Sequence, residues 1–358
     1  MDSLASHAAK GFAVSSNLTE LRHPPLARDH VDAGHRLARL GDLALESGER
    51  IVDYQQSYVT HGTLDAQKSN AILVCASLTG THHRLDFLIG PGKALDPARW
   101  FVVATDPIGN GLSTSPSNST AQPRMAFPQF SLRDMIHAQH RLLVEHLGLK
   151  NVRAVIGASM GGMQALQWAV SHPRFMQCVI AMTPMARTAP WAASVVQVAR
   201  ACLMADPTWT GHGFEGEPER GWRAYAGLMH ALVMRTPDAA EEAQLPLEDA
   251  VARQRGTHFD AHDYLYQSAA YEAQDVGTTP GFTSTRDALE SIVARTLILA
   301  PPIDLFNPVT AAREAADAIP SARFVEIPSI HGHSAATSVS PADAAFLNRT
   351  VAAFLDEH

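Results

Sequence analysis

Cysteine is nearly missing from this chain: Cys75, Cys178 and Cys202 are the whole complement in 358 residues. The count is odd and none of the spacings is that of a metal knot, so the thiols read as small buried hydrophobes in a reduced compartment, not as a disulfide framework. Positive charge is also in deficit. Lys+Arg total 28 against 36 Asp+Glu, a net charge of −8, which gives no global attraction to nucleic acid or anionic lipid. No apolar run approaches the roughly 20 residues that span a bilayer. The opening MDSLASHAAKGFAVSSN has one Lys and no continuous apolar stretch, and makes a poor signal peptide. Repeats and low-complexity tracts are absent. Together these absences point to a cytoplasmic protein whose partner is a small molecule, with neither nucleic acid nor membrane involved; a homodimer is compatible with them.

What is present is globular: 46% apolar residues, with 23 Gly and 22 Pro. The length fits one large α/β domain with an insertion, or two smaller domains. Residues 1–35 lack periodicity and read as an N-terminal arm. Two short strands are expected between Leu40 and Tyr58. Short continuous apolar runs then mark buried strands at Asn70–Ser77, Trp100–Thr105, Val152–Ile156, Gln177–Met182, Thr296–Ala300 and Phe324–Ile327. Helical spacing appears over Leu132–Leu147, Met160–Ser171, Thr310–Ala318 and Ala342–Leu355. Strands alternating with helices argue for a mostly parallel sheet covered on both faces. The alternation breaks between about residues 184 and 289, where only helical patterns occur. The expected division is a core of residues 36–183 and 290–358, with a helical lid of residues 184–289 inserted between two sheet strands.

Gly157-Ala158-Ser159-Met160-Gly161 is a G-x-S-x-G sequence, entered from the apolar run VRAVI and left through the helical GGMQALQWAV. That strand–turn–helix context is what a nucleophile elbow needs. The turn is tight, so residues flanking Ser159 must be small, and the hydroxyl is set at a helix N-terminus that favours developing negative charge. A serine hydroxyl needs a positioned base to become a useful nucleophile, and in an α/β-hydrolase fold the partners follow in the order Ser, acid, His. Asp304 lies just past the strand Thr296–Ala300 and is the expected acid. His331 and His333 lie past the next strand. His333, after Gly332 and at the usual distance before the last helix, is the expected base, with His331 its rival. An oxyanion hole takes two backbone donors: Met160, and Leu78 from the loop after the first buried strand, with Thr79 and Gly80 as rivals. His82 and His83 follow that loop. No Cys or acidic residue is suitably spaced beside them for zinc, so they read as surface or pocket histidines, and no metal or other cofactor is expected.

These residues bring a family into view. The chain resembles the homoserine O-acetyltransferase family of α/β-hydrolase-fold acyltransferases along most of its length: Ser77-Leu78-Thr79-Gly80, LIGPGKALDPARWFVV (88–103), SMGGMQALQWA (159–169), ADPTW (205–209), FDAHDYLYQS (259–268) and Gly332-His333. The resemblance implies a Ser159–His333–Asp304 triad, an acyl-serine intermediate and a helical lid. It also makes three departures informative. The acetyltransferases carry an Asp directly after the catalytic His, holding the homoserine ammonium; here Ser334 stands there. A lid Arg in that family grips the homoserine carboxylate; alignment through His230 puts Ala226 in its place and Val233 at a site-lining Tyr, with Arg223 and Arg235 as alternative cations. The loop DPIGNGLSTSP lacks the family's Gly-Gly-Cys-Tyr-Gly character. Unpaired buried charges cost several kcal/mol, so a pocket lined by Thr79, Ser334 and Ala226 does not suit a zwitterion. The expected activity is a serine hydrolase of a carboxylic ester or related acyl compound; the alternative is an acetyl-CoA-dependent O-acetyltransferase acting on homoserine or another alcohol.

Overall fold

Eight strands form one sheet in the order β1-β2-β4-β3-β5-β6-β7-β8. The structure, a computed structural model, describes residues 35–243, 248–249, 251–252 and 259–357. The arm expected at 1–35 therefore lies, apart from His35, outside the described residues, as do parts of the segment 184–289. The strands are β1 (Arg36–Ala44), β2 (Arg50–His61), β3 (Ala71–Cys75), β4 (Phe101–Thr105), β5 (Val152–Ala158), β6 (Met176–Met182), β7 (Arg295–Ala300) and β8 (Ala322–Glu326). β2 pairs antiparallel with β1 and β4, and every other pair is parallel. β1 begins four residues before Leu40 and β2 runs on to His61, so this hairpin is longer than the apolar pattern suggested. Its alternation is blurred because β1 is an edge strand with one face in water.

The central strands are buried on both faces. Leu73 and Cys75 of β3 point into one hydrophobic layer while Ile72 and Val74 point into the other, which is why the run AILVC contains no polar residue. The first layer is covered by α1 (Leu132–Arg141), α2 (Met160–Ser171) and α8 (Val309–Ala318), the second by α9 (Pro341–Asp356). α1 starts at a capping box in which the Ser131 side chain accepts from the Asp134 N–H and the Asp134 carboxylate accepts from the Ser131 N–H. A chain of amides crosses the first layer. Trp168 Nε1 and Gln139 Oε1 are 2.7 Å apart, Gln139 Nε2 donates to Gln164 Oε1 at 2.7 Å, and Gln164 Nε2 donates to the Ala76 carbonyl at 2.9 Å. These groups are fully buried, so removing one leaves a partner unsatisfied at a cost of about 1–3 kcal/mol. The chain fixes α1 and α2 against the end of β3.

Between β6 and β7 the described residues form helices α3 (Pro190–Met204), α4 (Glu219–Ala226), α5 (Pro237–Ala243), α6 (Ala261–Glu272) and α7 (Thr285–Glu290), with π-helical geometry over Gly227–Val233 and no sheet strand. This segment packs over the carboxyl ends of the strands. Gln267 of α6 bonds the Thr79 N–H and the Ile108 carbonyl in the loops after β3 and β4. Tyr271 stacks on Phe306 after β7, and the Met234 carbonyl receives two hydrogen bonds from Ser334. No helix of the described residues is long and apolar enough to cross a membrane.

Candidate active site

The elbow forms because three residues around it have no side chain. A Cβ on Gly157 would stand 2.1 Å from the Gly161 backbone, and one on Gly161 would stand 2.3 Å from the Cys75 carbonyl. Strand β5 and helix α2 thus cross at van der Waals contact. Gly162 is held similarly against the Met182 carbonyl. The turn leaves Ser159 with φ 57° and ψ −124°, a region that costs a residue with a Cβ on the order of 1–3 kcal/mol. Two contacts hold it there: its N–H donates to the Met182 carbonyl at 2.9 Å and approaches Thr183 Oγ1 at 3.3 Å.

Ser159 occupies the N-cap position of α2, a place where serine usually bonds the helix's own N–H groups. Its side chain makes no such bond. Its Oγ lies instead 2.9 Å from His333 Nε2. His333 Nδ1 lies 2.8 Å from Asp304 Oδ2. The other carboxylate oxygen, Oδ1, accepts from the Phe306 and Asn307 N–H groups at 2.8 and 2.9 Å. The loop after β7 therefore grips the carboxylate on one side and presents it to the imidazole on the other. Phe306 meets the His333 ring edge-on at 5.0 Å. All three side chains are buried, Ser159 at 4% exposure and His333 at 2%. His331 lies in the same loop, where its backbone N–H bonds Ser329 Oγ and it is the N-cap of the short helix Gly332–Ala336 that carries His333.

The backbone donors sort themselves by their partners. Thr79 has φ 57° and gives its N–H to Gln267 Oε1 at 3.1 Å, while Gly80 gives its N–H to the Ser77 carbonyl at 2.9 Å. Both of these N–H groups therefore already have an acceptor within the protein. Ser334 donates its hydroxyl to the Met234 carbonyl at 2.9 Å. Ala226 is fully buried at the end of α4. Arg223, one of the alternative cations, is half-exposed and paired with the exposed Glu248.

Sequence reasoning missed the braces. Arg84 donates from Nε to Ser77 Oγ at 2.8 Å and from Nη1 to the Ala336 carbonyl at 2.7 Å, and Ser77 Oγ donates to the Ala158 carbonyl at 2.7 Å. One guanidinium thus ties the loop after β3, the elbow and the His333 loop together. Burial pulls its pKa down to about 10, still far above neutrality. Behind Ser159, the Tyr271 hydroxyl donates to Asn307 Oδ1 and Asn307 Nδ2 donates to the Thr183 carbonyl at 2.7 Å. Burial first, and the nearby Asp304 second, raise the Tyr271 phenol well above its usual range, so it remains a donor. No spacing rule connects Arg84 with Ala336 or Tyr271 with Thr183. The only signal was composition: polar residues next to motif residues.

A family model for the alpha/beta hydrolase fold matches residues 70–334. A homoserine O-acetyltransferase from Methanosalsum zhilinae is 33% identical over 82% of this chain and 68% of its own length. An acetylester hydrolase from Corynebacterium glutamicum superposes with a TM-score of 0.85 at 28% identity, covering 90% of this chain and 96% of that one. A homoserine O-acetyltransferase from Bacillus anthracis gives 0.79 at 27%, covering 90% and 98%. A strand–elbow–helix with its hydroxyl on a buried imidazole, set in this sheet order and among these relatives, makes the chain a member of the homoserine O-acetyltransferase-like family of the alpha/beta hydrolase fold.

Proposed function

We propose that the protein is an ester hydrolase working through an acyl-serine intermediate. The observation that carries this reading is the hydrogen-bonded line from Ser159 Oγ through His333 to Asp304. In it, Ser159 Oγ attacks the acyl carbonyl as its proton passes to His333 Nε2. The oxyanion so formed is held by the N–H groups of Met160 and Leu78. The carbonyl re-forms, the leaving alkoxide takes the proton from His333, and the acyl group rests on Ser159. A water molecule then gives a proton to His333 and its oxygen to the acyl carbon; collapse returns the proton to Ser159 and frees the acid. Asp304 stabilises the imidazolium in both halves and stays ionised.

Both an esterase and an acetyltransferase share the first half of that cycle, so the acceptor decides between them. Water as the acceptor is supported by what surrounds the base. Ser334 is neutral and its hydroxyl is turned onto a backbone carbonyl. Ala226 offers no cation, and Arg223 is committed to Glu248 at the surface. A site that pairs the ammonium and carboxylate of homoserine gains several powers of ten in preference from those contacts. The helices between β6 and β7 act as a lid that shapes an acyl pocket over Ser159. The resemblance in shape to an acetylester hydrolase supports a short acyl group. The test is a comparison of rates with p-nitrophenyl esters of increasing chain length and with acetyl-CoA, each with and without homoserine. Hydrolysis greatest for short esters and unchanged by homoserine is expected. Saturable acetylation of homoserine from acetyl-CoA, well above hydrolysis, would replace this reading with the transferase.

A further inference from the structure

Away from the Ser159 line, three histidines converge where the chain enters the sheet. One ring nitrogen from each of His35, His82 and His83 lies within 4.8 Å of the other two. His35 immediately precedes β1, whereas His82 and His83 open the short helix after β3. The first two meet nitrogen to nitrogen, Nε2 to Nε2, at 2.7 Å. The rings of His82 and His83 lie 3.9 Å apart between centroids. Each of these two has its Nδ1 on a carboxylate: His82 on Asp106 at 2.9 Å and His83 on Asp86 at 2.8 Å. That bond fixes the ring and engages Nδ1, so Nε2 is the nitrogen that would ligate an ion. A carboxylate behind a ligating imidazole is the arrangement that orients histidines on zinc and raises their basicity.

The carboxylate behind His82 is itself firmly built. Asp106 is fully buried and accepts from the His82 N–H at 2.8 Å, the Ser57 hydroxyl at 2.7 Å and Asn110 Nδ2 at 3.1 Å. These bonds hold the carboxylate in one orientation, and with it the His82 ring.

We propose that His35, His82 and His83 form a binding site for a borderline divalent transition-metal ion of the Zn²⁺ class, ligated by three imidazole nitrogens with a water in the remaining position. Neutral imidazole suits such ions and carboxylate-loving Mg²⁺ or Ca²⁺ do not take it. In a tetrahedral site adjacent nitrogens stand ~3.3 Å apart. The 2.7 Å between His35 and His82 needs to widen only by roughly 0.6 Å to match it, a small swing for His35, which stands just before the start of β1. The ion would clamp the start of β1 to the segment following the Leu78–Gly80 loop, whose Gly80 carbonyl is bonded by Asn110 of the same Asp106 network. The position matches a structural clamp, separate from the reacting serine.

The proposal is tested by titrating the full chain, stripped of metal with a chelator, with Zn²⁺ in a calorimeter, and by following Co²⁺ through its visible absorption. One saturable site per chain is expected, with a Co²⁺ spectrum of low coordination number and a melting temperature that rises with Zn²⁺. His35→Gln and His83→Gln should each weaken the site ~10-fold or more, and Asp86→Asn should weaken it by a smaller factor in the same direction. Both histidines are partly exposed, so these variants keep the fold, which circular dichroism checks. His140→Gln/His172→Gln, which removes a second pair of histidines stacked at 4.2 Å, should leave the affinity as it is. Absence of saturable binding, binding undiminished in His35→Gln and His83→Gln, or loss in the His140/His172 variant would each overturn the proposal.

Discussion

Asp304→Asn tests the proposed mechanism most sharply, because the structure dictates how the new amide must sit. Asp304 Oδ1 receives two backbone N–H groups, from Phe306 and Asn307. An asparagine has one acceptor end and one donor end. Placing its NH₂ against two N–H donors would bury two unsatisfied pairs, so its oxygen must take the Oδ1 place. Its NH₂ then faces His333 Nδ1, where the carboxylate stood at 2.8 Å. An NH₂ there can only donate, so Nδ1 becomes the acceptor and the proton moves to Nε2. The nitrogen 2.9 Å from Ser159 Oγ is then a donor and can no longer take the serine proton. No volume changes and no hydrogen bond of the loop is lost, so stability should hold while chemistry fails. A wrong-tautomer base of this kind costs ~10⁴ in kcat, which is ~5.5 kcal/mol of transition-state stabilisation at about 1.36 kcal/mol per factor of ten. The assay is steady-state release of p-nitrophenol from the acetate ester, alongside a thermal melt. A variant within tenfold of the wild-type kcat, with an unchanged melt, would refute the tautomer reasoning and with it Asp304 as the partner of the base.

Further outcomes follow from the same geometry. Ser159→Ala should abolish turnover by several powers of ten in the ester assay while melting like the wild type. His333→Ala should be as damaging as Ser159→Ala and His331→Ala far milder, since only His333 reaches both Ser159 and Asp304; equal losses would count against that choice. Gly161→Ala should destabilise the fold by roughly 3 kcal/mol or more, at the upper end of overpacking costs, because its Cβ would press on the Cys75 carbonyl, a backbone atom of the central sheet; chemical denaturation reads the change. His172 has its pKa lowered from 6.5 to about 4 by burial, with His140 and His137 adding like-charge repulsion. The unfolded chain therefore binds that proton more readily between those two values, so its stabilising contribution is complete above 6.5 and is lost progressively as pH falls towards 4. His172→Gln should flatten the fall in melting temperature across that window, and an unchanged slope would show that the acid sensitivity has another source.

Ser159 could be found in the sequence because an elbow is a local object. Its strand, its turn and its helix are contiguous, and the small residues that the crossing of β5 and α2 requires are printed side by side as GASMGG. The parallel sheet was legible for the same reason: strands buried on both faces must be continuously apolar, as AILVC and VRAVIGA nearly are. The order Ser, Asp, His then narrowed the acid and base to the ends of two further strands. Tertiary structure alone decided the remainder. His331 and His333 are two residues apart in one loop, and only the φ of 58° at Gly332, with the turn it allows, aims one ring at Ser159 rather than the other. The Thr79 N–H is taken by Gln267, far along the chain on α6, and the Gly80 N–H by the Ser77 carbonyl, partners that no local spacing announces. Arg84 and Tyr271 became braces through partners on other loops. His35 joined His82 and His83 because the β1–β2 hairpin folds back along β4, bringing together residues 47 positions apart. Spacing along a chain reports only what a single turn or strand can bring together; hydrogen bonds between separate loops depend on the sheet order that places those loops at one end of the molecule.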